Sequence, residues 1–189
     1  MAAKKETEKV TLGSGDLYLN NVDVGHLKGD VVVTAEGEFV DFKPANMTGI
    51  VKRFVIRESA RLTASMAELK MANVRLALGV TTAIGASQSF PAYDPSSFSP
   101  PAGSSYDVMS FGGDKTVSQV SLRFEHQRPE TTKKIIVIFY LAVSNRLLNI
   151  PFHEEEVNLQ DIEFTAMADA DRTAGDQMGF IAEEVQQAS

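Results

Sequence analysis

GIVKRFVIRESARLTASMAELKMANVRLALG, residues 49–79, is the stretch on which the fold turns. From Arg53 to Thr63 its residues alternate. Phe54, Ile56, Ala60 and Leu62 share one face, interrupted by Glu58, while Arg53, Arg57, Ser59, Arg61 and Thr63 share the other, interrupted by Val55. A period of two is the mark of a half-buried strand. The period then changes. Ser65-Met66-Ala67-Glu68 has the form of a capping box, so a helix is expected from about Met66 to Leu78, with Gly79 as its terminator. On a helical wheel Leu69, Ala72 and Leu76 make one apolar stripe, and Ala67, Met71, Val74 and Leu78 make a second. A surface helix has one stripe. Two imply a helix covered on both sides, either by its own core or by its sheet and a second molecule.

The flanking segments read as more strands. Asp16 to Leu19 is short, Asn20-Asn21 turns, and Val22 to Leu27 alternates mildly. Val31 and Val33 are odd-numbered whereas Val40 and Phe42 are even, so a regular strand from 30 to 43 would split them between faces. A bulge or tight turn at Gly37 is the simplest expectation. Val117 to His126 alternates, and so do residues 161–168. Ile135 to Val143 is continuously apolar, as expected of a central strand covered on both faces.

Composition changes after Gly79. Residues 80–113 hold Pro91, Pro95, Pro100 and Pro101, only two charges, and the aromatics Phe90, Tyr93, Phe98, Tyr106 and Phe111. Solvated linkers are charged and poor in aromatics, and a loop this long inside a domain is usually functional. It reads as an arm that orders on a partner. Residues 1–12 read as a flexible N-terminal arm, 13–169 as a single β domain, and 170–189 as a C-terminal tail whose apolar patch, Met178, Phe180 and Ile181, docks as a short helix or on a neighbour.

Much chemistry is missing from the sequence. There is no cysteine, hence no thiolate metal site or thiol nucleophile. A net charge of −7 argues against a general nucleic-acid binder. The first ten residues have charges but no apolar stretch behind them, unlike a signal peptide, and the nine-residue apolar run is too short for a membrane helix. His26, His126 and His153 lack acid–base partners in sequence. His153-Glu154-Glu155-Glu156 lacks the helical spacing of a metal motif. Asp169 to Phe180 fails as a calcium loop, with Ala174 and Phe180 where glycine and glutamate belong. No enzyme, cofactor or metal site is expected.

The segments LGSGDLYLNNVDVGHLKGDVVV (12–33), VKRFVIRESARLTASMAELKMANVRLALG (51–79) and IEFTAMADADRTAGDQMG (162–179) resemble the major tail tube protein of long non-contractile-tailed bacteriophages. The resemblance implies a β-sandwich or barrel flanked by one short α-helix, shared with contractile-tail and type VI secretion tubes. It implies rings, usually hexameric, that stack into a hollow tube through which phage DNA passes during ejection. Tape-measure, terminator and tip proteins are the implied partners, and the virion tail, assembled in the host cytoplasm, is the implied location. Under it, Leu69, Met71, Val74 and Leu78, with Phe90, Tyr93, Phe98, Tyr106 and Phe111, are the expected contacts between subunits. Glu36, Glu38, Asp41, Asp161 and Glu163 are expected to line the lumen, provided that neighbouring acids neutralise Arg53, Arg57 and Arg61. The competing expectation is a monomeric β-barrel that binds a small ligand beneath residues 80–113 as a lid.

Overall fold

The computed structural model describes residues 15–68, 70–78, 118–128, 133–145 and 160–185. The aromatic loop and its five anchors, Leu69, Gly79 and the acidic run at His153 lie outside them. Among the described residues the chain is mainly β, with eight strands in one antiparallel sheet and a single short helix. The strands are β1 (Asp16–Leu19), β2 (Val22–Asp23), β3 (Val32–Phe42), β4 (Lys52–Met66), β5 (Val120–Gln127), β6 (Lys134–Ser144), β7 (Gln160–Met167) and β8 (Gly179–Glu183), with α1 at Met71–Ala77. Their order is β2-β1-β5-β6-β7-β4-β3, with β8 paired to β6.

One face of this sheet is the core. Leu17 and Leu19 of β1, Leu62, Ala64 and Met66 of β4, Leu122 and Phe124 of β5, and Ile162 and Phe164 of β7 form a single buried cluster. Strands at opposite ends of the order contribute to it, so the sheet curls around its own apolar face. The segment after β2 draws the curl together: Leu27 bridges to Met66, Lys28 N–H donates to the Ser65 carbonyl at 2.9 Å, and Ala67 N–H donates to the His26 carbonyl at 2.8 Å. The β1–β2 turn is built for its task. Asn20 and Asn21 both have positive φ, 48° and 66°, the backbone that a two-residue hairpin turn requires.

The junction of β4 and α1 differs from the capping-box reading. β4 runs on to Met66, because residues 61–66 find hydrogen-bonding partners in β7. Ser65 is therefore a strand residue, and its hydroxyl donates to Asp161 at 2.6 Å. Glu68 accepts from the His26 backbone and pairs with Lys70, which together hold its carboxyl below the usual range, the Lys70 contact contributing most. It lies over Gly25, whose φ of +88° and lack of Cβ leave room for the carboxylate. The helix starts at Met71 without a side-chain cap.

Two further expectations are corrected. The tail is not a helix: residues 179–183 form β8, which occupies the β6 edge at Ile135–Phe139, since β7 pairs with β6 only from Leu141 to Ser144. The apolar run in β6 is not covered equally on both faces. Val137, Phe139 and Ala142 are buried, whereas Ile135, Ile136, Ile138 and Leu141 keep part of their surface.

Candidate functional site

The feature that sets this molecule apart is the far end of β3 and β4. Only Arg61–Met66 of β4 pairs with β7. Beyond Arg61 the two strands continue as a two-stranded hairpin, paired to each other down to Phe42 and Lys52. Among the described residues the outer edge of β3 is unpaired along its whole length, since β3 ends the strand order. Most of the large apolar side chains exposed among the described residues belong to this hairpin: Phe39, Val40, Phe42, Met47, Ile50, Val51, Phe54, Val55 and Ile56.

Register explains how both faces of the tip become apolar. Glu38 opposes Arg57 and Phe39 opposes Val55, so Ile56 is an extra residue in β4. The break expected at Gly37 does not occur: β3 runs unbroken with Val33 and Val40 on opposite faces, and the extra residue lies in β4. Directly opposed residues of an antiparallel pair project to the same side. Val33, Ala35, Gly37, Phe39 and Asp41 therefore share the core side with Leu62, Ala60, Glu58, Val55 and Arg53. Val40 and Phe42 share the outer side with Phe54 and Lys52, and Phe54 sits on the opposite face from Leu62. Phe39, 52% exposed, carries Arg53 at 5.6 Å from its ring centre; Phe54, 47% exposed, carries Lys52 at 4.9 Å. Phe39 also leans over Gly37, where a Cβ would meet the ring at 2.9 Å.

The arginines find acids. Arg53 donates to both oxygens of Asp41, at 2.7 and 3.1 Å, and this hydrogen bond holds the Asp41 carboxyl below the usual range. Arg57 lies 3.7 Å from Glu38 and Arg61 3.3 Å from Glu163. The arginines are not one row. The extra residue puts Arg53 on the core side and leaves Arg57 and Arg61 outside. Of the five acids expected in a lumen, Glu36, Glu38, Asp161 and Glu163 share the outer face of β3, β4 and β7, and Asp41 does not. In the body of the sheet that face carries Thr34, Ser59, Thr63, Ser65 and Thr165 between the charges, with Val32 and Met167 exposed among them, and it turns apolar at the tip with Val40, Phe42 and Phe54.

The helix positions are divided. Val74 has no exposed surface, and Ala77 packs into the core cluster with Leu76 against it. Asn73, also buried, donates from its amide to the Val24 carbonyl at 2.8 Å and ties the helix to the segment after β2. Val74 thus has nothing to present to another molecule, while Met71 and Leu78 are half-exposed and Ala72 is exposed. The hairpin residues were not among the contacts expected from the sequence. The available signal was the density of Phe, Val and Ile on both parities between 39 and 56.

Between the hairpin root and β8 lies a groove of about 430 Å³, walled by Val33, Ala35, Phe39 and Ala60 on one side and by Phe139, Met178 and Ile181 on the other. It exists because β7 leaves β4 after Arg61 and β8 sits one strand further away. The interior of the curl itself is filled: Leu17, Leu62, Ile162 and Phe164 are fully buried there. Among the described residues no group of three or more His, Asp or Glu is placed to hold a metal ion, and no helix is long and apolar enough to cross a membrane. No family model and no curated protein matches the chain.

Proposed function

We propose that this chain is a structural subunit that polymerises into stacked rings, as the tail tube protein of a long non-contractile phage tail. The observation that carries the reading is the hairpin. A two-stranded projection with large apolar side chains on both faces is costly in water, because each, about half-exposed, forgoes roughly half of the about 1.5–3 kcal/mol that full burial gives. Contiguous apolar surface of this kind marks an interaction site. The open edge of β3 adds eleven residues able to accept a further strand. Self-association through different patches on each copy produces rings where it closes and filaments where it does not.

The outer face of β3, β4 and β7 suits the wall of a conduit. Its arginines are engaged by acids, so it offers sliding phosphates few free cations and little counterion release. Under this reading the partners are other copies of the chain, the proteins that set tube length and close its ends, and DNA in passage.

Electron microscopy of the purified chain at high concentration tests the proposal. Uniform hollow rods or stacked rings are expected. A species that stays monomeric under every condition of concentration and salt overturns it.

A further inference from the structure

We propose that the turn of one copy's hairpin docks in the groove at the root of the next copy's hairpin. The inference rests on the assembly reading and names the acceptor for the projecting tip. Three observations lead to it.

The first is the groove. It is open, apolar in its walls, and bordered by Glu58 on its own face and by Glu36 at its rim, which projects from β3 to the outer face. Glu58 opposes Gly37 in the register, so no side chain stands across from it on that face.

The second is the charge of the tip. Between Phe39 and Arg57 stand four cations, Lys43, Lys52, Arg53 and Arg57, against the single acid Asp41, in a chain whose net charge is −7. Asp41 satisfies Arg53 and Glu38 satisfies Arg57. The excess positive charge therefore sits on Lys43 and Lys52, which flank the exposed Phe42, Met47, Ile50 and Val51. An apolar turn with two lysines at its base complements an apolar groove with two glutamates on its rim.

The third is reach. At about 3.3 Å per residue, the strand from Phe39, the outermost wall residue of the groove, to Phe42 puts the turn roughly 10 Å or more beyond its own groove. The paired strands cannot fold back over that distance, so the turn that fills a groove must come from another copy. A copy displaced along the hairpin axis supplies it. Turn and groove are different patches, so the contact repeats from copy to copy without closing on a pair.

The absence of cysteine gives a clean test. Chains carrying Ala35→Cys and Met47→Cys together are oxidised and run without reductant. A ladder extending past the dimer is expected, whereas either single variant stops at a dimer. In the same background, Lys43→Glu with Lys52→Glu, or Glu36→Lys with Glu58→Lys, is expected to reduce the ladder about tenfold or more through like-charge contact. An equimolar mixture of the two reversed chains restores it, because each tip then meets an oppositely charged groove. All four charged positions are exposed, and circular dichroism checks that the variants fold as the parent does. A disulfide within the monomer, or a ladder indifferent to both reversals, overturns the docking. Rods without a ladder refute the docking and leave the tube reading standing. A ladder without rods does the reverse, and absence of both refutes the two together.

Discussion

One strand, β4, belongs to two regions that obey different rules. In its second half Leu62, Ala64 and Met66 are buried beneath the curl of the sheet. In its first half Phe54, Val55 and Ile56 are as apolar and each about half-exposed. The residue types do not separate the halves. What separates them is the presence of β7, α1 and the segment after β2 over one and of nothing in the chain's described residues over the other. Alternation makes a strand; a second layer makes a core. Where the first outruns the second, the excess apolar surface is available to another molecule.

Attacking each half in turn sharpens that contrast. The largest effect is expected in the body. Phe164→Ala removes a fully buried ring from the cluster and should cost about 3–5 kcal/mol, read as a loss of denaturant midpoint. Next comes the tie between helix and sheet. Asn73→Ala leaves the Val24 carbonyl without its buried donor and should cost about 1–3 kcal/mol. The hairpin should respond in the opposite sense. Phe39→Ser with Phe54→Ser should change monomer stability by under about 1 kcal/mol, as at exposed sites generally, yet abolish sedimentable polymer. If the pair unfolds the monomer, the two regions are one cooperative core and the contrast collapses.

The smallest effect is electrostatic. Asp41 has its carboxyl held down by the Arg53 hydrogen bond. A depressed folded value means that the pair's contribution is present above the ordinary carboxylate pKa of about 3.9 and is lost as pH falls through the lower folded value. Protection of the tip amides, meaning exchange measured relative to the intrinsic rate at each pH, should therefore fall below about pH 4 in the parent. Asp41→Asn should remove that dependence and leave exchange in β5 and β7 unchanged.

Much of the body was legible from residue order alone. Residues 16–19, 53–63, 135–143 and 162–167 lie in strands as their patterns indicate. The parity of Val33 against Val40 misled, since β3 runs unbroken with the two on opposite faces of a tip that is apolar on both sides. The irregularity lies instead in β4, whose alternation from 53 to 63 gave no sign of it. The capping box misled too. Ser65 and Glu68 have the right spacing, but a ladder to β7 and the backbone of His26 compete for them. Both competitors are distant in sequence. β8 was hidden likewise: five residues at 179–183 acquire strand geometry because β7 vacates an edge of β6 some forty residues earlier in the chain. The candidate site followed the same pattern. The helix wheel marked a helix with much apolar surface, yet Val74, expected to face a neighbour, has no exposed surface.

Ile56 carries a consequence beyond register. A residue opposed by none bends its strand and tightens the local right-handed twist, so it sets the bearing of the tip about the hairpin axis. Removing it would leave each cross-strand partner, from Glu38–Arg57 to Phe42–Lys52, where it is. Apart from the loss of the exposed Ile56 side chain itself, the tip would keep its chemistry and change its aim. In a polymer held by that tip, the angle from one copy to the next would then shift at every step, and the pitch of the whole assembly would be governed by a single codon.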